Sequence, residues 1–254
     1  MNRPSPHRRQ PTVLLFDIDG TLIHSTSGIG AGRRAFERAA DDLFRAREHC
    51  RFSFNGLTDR SIARAVVTAV QEFPPGSEGP VPAAESAVEE LLARYLLLLE
   101  EELDGFADYE LLPGVVELLD ALDELADRTT VAVGLGTGNL ERGAELKLAR
   151  VGLSGRFAFG GYGSDHEERA ELIRAGARRG ADRLGCDAGD CRVVVVGDTP
   201  RDVAAALAVG GECVAVATGG HRTEALLAVG AVAAFEDLTA PGVLEALLPS
   251  RPGR

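Results

Sequence analysis

The sequence is short of cysteine, tyrosine, positive charge and long apolar runs, and each shortage removes a class of protein. Its four cysteines, Cys50, Cys186, Cys191 and Cys213, contain no Cys-x-x-Cys pair and are too sparse for a disulfide framework. Reduced thiols in a cytoplasm are therefore expected, and a cysteine-bound metal is not. Tyrosine is scarce and Met1 is the only methionine, so no aromatic platform for nucleic acid is visible. No stretch approaches the roughly 18 apolar residues of a membrane span; Tyr95–Leu99 and Val193–Val196 come nearest and are short. Residues 1–10 are Arg- and Pro-rich, and the apolar run behind them is only Val13–Phe16, so they read as a disordered tail rather than a secretory leader. Acids outnumber bases, 39 to 27, for a net charge of −12. That balance disfavours nucleic acid or an anionic membrane as the main partner, because both need a basic footprint. A phosphorylated substrate would need locally placed cations, and a divalent metal is the most compact one.

What is present is a chain of 254 residues, 45% hydrophobic, enough for one large domain or two modest ones. Val13–Phe16 is short, dense and followed by Asp and Gly, the pattern of a strand buried on both faces and ending in a loop. Similar runs recur at Val131–Leu135, Phe157–Phe159, Val193–Val196 and Val214–Val216. Helical segments lie between most of them: a stripe through Val115, Val116, Leu118, Leu119, Leu122 and Leu125, then Arg142–Val151, Glu168–Leu184, Arg201–Ala208 and Thr223–Ala228. The alternation predicts an α/β fold, a Rossmann-like, doubly wound parallel sheet, built from residues 11–24 and 109–254. Residues 25–108 differ in texture, being Ala- and Leu-rich and helical in period. They predict an inserted helical module with helices at Gly30–Arg47, Asp59–Phe73 (Thr58 as N-cap) and Ala84–Leu103, the last two separated by a Pro- and Gly-rich loop at Pro74–Pro80.

The chemistry gathers where strands end. The first runs into Asp17-Ile18-Asp19-Gly20-Thr21, which sets two carboxylates at the C-terminal edge of a parallel strand, where open α/β sheets bind ligands. Acids that close repel unless a cation or proton intervenes. One can then stay ionised beside a metal and attack phosphorus, while the other carries a proton for the leaving group. Gly20 permits the turn back over the site and Thr21 can fix it. The same pentapeptide also reads as an acidic loop capping a strand. A second strand ends at Leu135-Gly136-Thr137-Gly138-Asn139 before a helix, where a hydroxyl and free N–H groups can seat a phosphate or simply cap the helix. A third ends at Gly197-Asp198-Thr199-Pro200-Arg201-Asp202. Asp198 and Asp202 can face one point above the sheet as oxygen ligands of the kind Mg²⁺ requires, or Asp202 can serve only the helix start.

VLLFDIDGT, LGTGN and GDTPRD, in that order and each at a strand end, resemble three of the four signature motifs of the haloacid dehalogenase superfamily. The inserted helices resemble its helical cap, and the resemblance spans roughly residues 12–240. The remaining motif is a Lys or Arg near the start of the helix preceding the last of these strands; Arg169 fits best, Arg174 second and Lys147 third. The resemblance implies Asp17 as a nucleophile that becomes an aspartyl phosphate, and Asp19 as general acid and base. It implies Mg²⁺ held by Asp17, Asp198 and the backbone carbonyl of Asp19, with Asp202 nearby as ligand or support, and Thr137, Gly138 and Arg169 around the transferring phosphoryl group.

Within the family, an acid at position 19 disfavours the metal-free dehalogenases, and a cap without lysine disfavours Schiff-base phosphonate cleavage. Hydrolysis of a small phosphorylated metabolite is the leading expectation. A sugar phosphomutase, or a regulatory protein that keeps the fold without turnover, stays open beside it. The segment Gly56-Leu57-Thr58-Asp59 resembles a stretch of phosphoglycolate phosphatase-like and phosphomutase-like members, which makes Thr58 and Asp59 a candidate substrate loop, although the pair is also an ordinary helix start. Arg33, Arg34 and Arg60 could meet a substrate anion, but on amphipathic helices such residues are more often solvated. His24 and His166 read as flap and loop residues. No pattern points to an oligomeric state.

Overall fold

A computed structural model of the chain describes residues 10–71, 84–105, 109–125 and 130–248. In chain order the elements are β1 (Thr12–Phe16), β2 (Ile23–Ser25), α1 (Ala31–Phe44), α2 (Asp59–Gln71), α3 (Glu85–Gly105), β3 (Tyr109–Leu111), α4 (Val115–Leu125), β4 (Val131–Gly136), α5 (Glu141–Arg150), β5 (Gly160–Gly161), α6 (Arg169–Leu184), β6 (Arg192–Gly197), α7 (Pro200–Ala208), β7 (Glu212–Val216), α8 (Thr223–Ala228), β8 (Ala233–Phe235) and α9 (Val243–Leu247).

Six strands form one parallel sheet in the order β5-β4-β1-β6-β7-β8. Every residue of β1 is buried, because the side chains alternate between two packed faces. Leu14 and Phe16 join a core with Leu118, Leu122, Leu148 and Val196. Val13 and Leu15 join the opposite one with Leu172, Ile173, Val195 and Val203. Full burial of such a side chain stabilises by roughly 1.5–3 kcal/mol, so a one-residue slip of this strand would exchange two whole faces. The register aligns Phe16 with Leu135 on one side and with Val196 on the other. Asp17, the turn after Leu135 and the turn after Val196 therefore leave the sheet side by side.

The helices α1, α2 and α3 share a separate core, in which Phe36 stacks on Tyr95 with ring centroids 3.9 Å apart among Ile62, Val66, Leu91 and Leu98. The chain enters and leaves this layer through β2 and β3, which pair antiparallel, Ile23 with Leu111 and Ser25 with Tyr109. Among the described residues no helix is long and apolar enough to cross a membrane.

Several expected elements shift. The strand expected at Phe157–Phe159 forms instead at Gly160–Gly161. A Cβ on Gly161 would fall 1.8 Å from the Leu172 carbonyl oxygen, so the backbone there is glycine because α6 lies directly against it, and the neighbouring aromatic residues only flank the strand. α1 stops at Phe44 rather than Arg47, since Arg45 turns left-handed at φ 54° and its N–H closes back on the Asp41 carbonyl. β2, β3, β8 and α9, of three to five residues, were not expected; β3 and β8 are only partly buried along their length. The tail at 1–9, the end of the second helix at Phe73 and the loop at Pro74–Pro80 lie outside the described residues.

Candidate active site

The strand-end loops surround a cavity of about 390 Å³, walled on its far side by α1, α2, α3 and β3. Asp17 follows β1 with its backbone N–H on the Val196 carbonyl at 2.9 Å, and its side chain is almost wholly buried. The next turn reverses at Gly20, which has φ 80°; a Cβ there would lie 2.5 Å from Asp198 Oδ2. Across the same gap, a Cβ on Gly219 would come within 1.5 Å of that oxygen. Two glycines thus make room for one carboxylate, while Thr21 donates its hydroxyl to Asp198 Oδ1 at 3.2 Å.

Asp202 is first a helix cap. Thr199 and Asp202 form a reciprocal capping box at the start of α7, with Pro200 in the first turn. Asp202 Oδ2 takes the Thr199 N–H at 3.0 Å and the Thr199 hydroxyl at 2.7 Å, which leaves Oδ1 free to face Arg169. Carboxylate oxygens of Asp17, Asp198 and Asp202 all lie within 4.8 Å of one another, and all three residues are buried. Burial lifts the Asp17 carboxyl to about 6, with Arg169 opposing and Asp202 and Asp19 adding to the rise. Burial, then the charges of Asp202 and Asp17, lifts Asp198 to about 8.

Arg169, the first residue of α6, is the cation of this cluster: Nη2 lies 2.6 Å from both Asp17 Oδ2 and Asp202 Oδ1. These are close ionic contacts whose angles fall short of hydrogen bonds, so Arg169 Nε and Nη2 and Asp202 Oδ1 are buried without a hydrogen-bond partner. Burial works against the guanidinium charge, but Asp17 and Asp202 hold it firmly protonated. Arg174, the second candidate, pairs with Glu171 on the flank of α6 and takes no part.

Thr137 is fully buried after β4, its hydroxyl oxygen accepting from Asn139 Nδ2 at 2.8 Å. Gly138 serves the contact between the two layers: its carbonyl accepts the Asp59 N–H at 2.8 Å, and a Cβ there would lie 2.6 Å from the Leu57 oxygen. Thr58 and Asp59 are likewise engaged. Thr58 Oγ1 accepts the Ser61 N–H as a helix cap and donates to the Glu167 carbonyl at 2.9 Å. Asp59 borders the cavity, accepts the Leu140 N–H at 2.8 Å, and is lifted to about 6 by burial despite Lys147 and that N–H. Arg64 with Glu167 at 2.8 Å, and Arg201 with the Asn55 carbonyl at 2.8 Å, complete the seam.

The cations considered as substrate ligands on the helical layer are committed to it. Arg33 donates to the Cys50 and Phe52 carbonyls and lies 4.0 Å over the Phe54 ring, Arg34 holds Glu102, and Arg60 holds Glu85 and Glu89. His24 stands 4.0 Å from Glu110 on the strand pair, and His166 Nδ1 accepts the Glu168 N–H.

Lys147 is what the sequence reading underrated. It ranked third for the phosphate cation, yet from α5 it reaches the cavity and contacts Asp19, with Nζ 2.9 and 2.7 Å from the two carboxylate oxygens and 2.7 Å from Asn139 Oδ1. Burial opposes its charge, but Asp19 foremost among its neighbours keeps the ammonium group well above the usual lysine range. Although the cap carries no lysine, an amine enters the cavity from the sheet side and is held protonated in an ion pair. The Asn139 of LGTGN was the available signal, because its amide also donates to Asp19, at 2.8 Å.

Three buried carboxylates and a buried guanidinium with unsatisfied donors thus meet at the C-terminal edge of the parallel sheet, a donor set that could hold a divalent cation beside an anion. The profile of the haloacid dehalogenase-like hydrolase family matches residues 11–210, and the chain belongs to that family of hydrolases. Its relatives include proteins named phosphoglycolate phosphatase from Rhodospirillum rubrum, 29% identical over 91% of this chain and 90% of that protein, and from Rhodobacter capsulatus, 28% identical over 92% and 96%. A solved hydrolase from Pseudomonas syringae shares the fold, with a TM-score of 0.62 at 20% identity over 90% of this chain and 94% of that one.

Proposed function

We propose that this hydrolase is a Mg²⁺-dependent phosphatase of small phosphomonoesters that works through an aspartyl phosphate on Asp17. The observation that carries the reading is the cluster of Asp17, Asp198 and Asp202, with oxygens within 4.8 Å and Arg169 paired against Asp17 and Asp202. Three buried carboxylates facing one guanidinium are short of positive charge, and an all-oxygen donor set suits Mg²⁺. Asp17, Asp198 and the Asp19 carbonyl would hold the ion, with Asp202 fixing Arg169 beside it. When bound, the ion offsets negative charge on the substrate phosphate and keeps Asp17 ionised.

The remaining chemistry belongs to the chain. Asp17 attacks phosphorus, the ester P–O bond breaks, and Asp19 gives its proton to the departing alkoxide. Water then attacks the phosphoryl group, Asp19 takes its proton, and inorganic phosphate leaves with Asp17 restored. Arg169 Nε and Nη2, together with Thr137, receive the phosphoryl oxygens. The helical layer, residues 25–108, acts as the cap; Thr58 and Asp59 latch it to the sheet domain, and its aromatic wall excludes water from the cavity. The relatives' names support a small phosphorylated metabolite, such as phosphoglycolate, as substrate, and the free cysteines fit work in the cytoplasm.

The test is phosphate release from a panel of monoesters, phosphoglycolate included, with Mg²⁺ or EDTA, for wild type and Asp17→Asn. Release that needs Mg²⁺ and vanishes in Asp17→Asn is expected. Silence across the panel, or release that survives the substitution, overturns the reading, and interconversion of sugar phosphates primed by a bisphosphate would replace it with the mutase.

A further inference from the structure

Among 27 Lys and Arg residues the chain has a single lysine, Lys147, and its side chain is only 6% exposed. Its ammonium has three N–H donors, and three oxygens wait for them: both of Asp19 and the amide oxygen of Asn139, at 2.7 to 2.9 Å. Asn139 Nδ2 closes the ring, donating to Asp19 Oδ2 and to Thr137 Oγ1, each at 2.8 Å. The Asp19 carboxylate is thereby gripped by two residues from one stretch of the sheet domain, while its side chain stays 45% exposed towards the cavity.

The site also explains why this cation is not arginine. A Cβ on Gly32, at the start of α1, would lie 3.5 Å from Nζ, and the Tyr109 ring stands 5.8 Å away. A compact point charge with three rotatable donors fits that space; a planar guanidinium would press on α1 or Tyr109.

We infer that Lys147, with Asn139 as its partner, is a positioning residue that holds Asp19 in place for proton transfer. The inference rests on the acid–base role of Asp19 proposed above. A carboxylate that must give a proton to one oxygen and later take one from water has to return to the same place between half-reactions. A group fixed only by its own rotamers loses part of the roughly 10²–10⁴-fold that positioned acid–base catalysis supplies.

Lys147→Met keeps the length of the side chain and removes the charge and all three donors. The expected result is a fall in kcat of about 30-fold or more, with KM changed less than about threefold, and a larger steady-state fraction of hydroxylamine-sensitive phosphoenzyme, because water activation suffers. Lys147→Ala opens its pocket to the cavity, and ethylammonium should restore part of its kcat, whereas uncharged ethanol should not. A merely structural lysine would give neither the phosphoenzyme nor charge-dependent rescue. If Lys147→Met fails to fold, Asn139→Ala carries the test: it removes one tether and must raise the phosphoenzyme fraction. Wild-type turnover and phosphoenzyme level in the folded variant, or no rescue by ethylammonium, overturn the inference. Loss of turnover in Asp17→Asn beside such a result leaves the phosphatase reading standing; turnover in Asp17→Asn removes both.

Discussion

Replacing a buried acid of the active site should make the metal-free protein more stable, and Asp198→Asn is the sharpest case. Asp198 is buried beside Asp17 and Asp202, which lifts its carboxyl from 3.8 to about 8. The sign follows from proton linkage. The folded state binds a proton more tightly than the unfolded chain, so this contribution to stability is complete below about pH 4 and is lost as pH rises towards 8. Asp17, lifted to about 6, acts in the same direction over the lower part of that window. Ionised Asp198 costs at most about 6 kcal/mol at about 1.4 kcal/mol per pH unit; relaxation and sharing with its neighbours reduce the expected cost to about 2 kcal/mol. At roughly 2–4 °C per kcal/mol for a chain of this size, Asp198→Asn should melt about 4–8 °C above wild type in EDTA at pH 8.5. At pH 5 the difference should shrink to about a quarter of that, because folded Asp198 is then protonated while the unfolded carboxyl has only begun to favour the ionised form. Mg²⁺ should raise the wild-type melting temperature and leave the variant unmoved. Circular dichroism melts at both pH values, with EDTA and with Mg²⁺, decide the matter. Equal melting temperatures at pH 8.5, or a gain that is the same at pH 5, would refute the reasoning.

Three further substitutions probe the site, two of them separating arginines that the sequence treats alike. Gly219→Ala puts a methyl group 1.5 Å from Asp198 Oδ2, so that carboxylate must move; the Mg²⁺ concentration for half-maximal activity should rise at least about tenfold, and a normal metal titration would contradict the cradle described for Asp198. Arg169→Leu should lower kcat/KM by about 10²-fold or more, whereas Arg174→Leu, which removes an exposed pair with Glu171 and a bond to the Ala208 carbonyl away from the carboxylates, should stay within about twofold of wild type in the same phosphate-release assay.

The fold class and the strand ends were legible because local patterns encode them. A parallel strand buried on both faces shows as an unbroken apolar run, and Asp17, Thr137 and Asp198 each follow such a run directly. The capping box of Thr199 and Asp202 is local too, with both partners within three residues. Strands of two or three residues, such as β2, β3 and β5, carry no period and escaped. Gly160 and Gly161 even lack the side chains by which a strand is recognised.

Residue order along the chain thus determined which carboxylates stand at the sheet edge, since strand, turn and acid are consecutive. Packing alone decided which cations meet them. Asp19 and Lys147 are 128 positions apart, and α5 could have presented that amine to solvent; the rotation of the helix on the sheet turned it inward. Arg169 and Arg174 share a helix, but only the first, which opens it, meets the carboxylates that follow β1 and start α7, while Arg174 reaches Glu171 and the far end of α7 at the Ala208 carbonyl. The same holds for Thr58 and Asp59: their identity marks a helix start, while their role as a latch comes from Gly138, Leu140 and Glu167 on the opposing layer. An ion pair or a cross-domain hydrogen bond depends on where two surfaces meet, and that is a property of the assembled layers rather than of any local stretch of sequence.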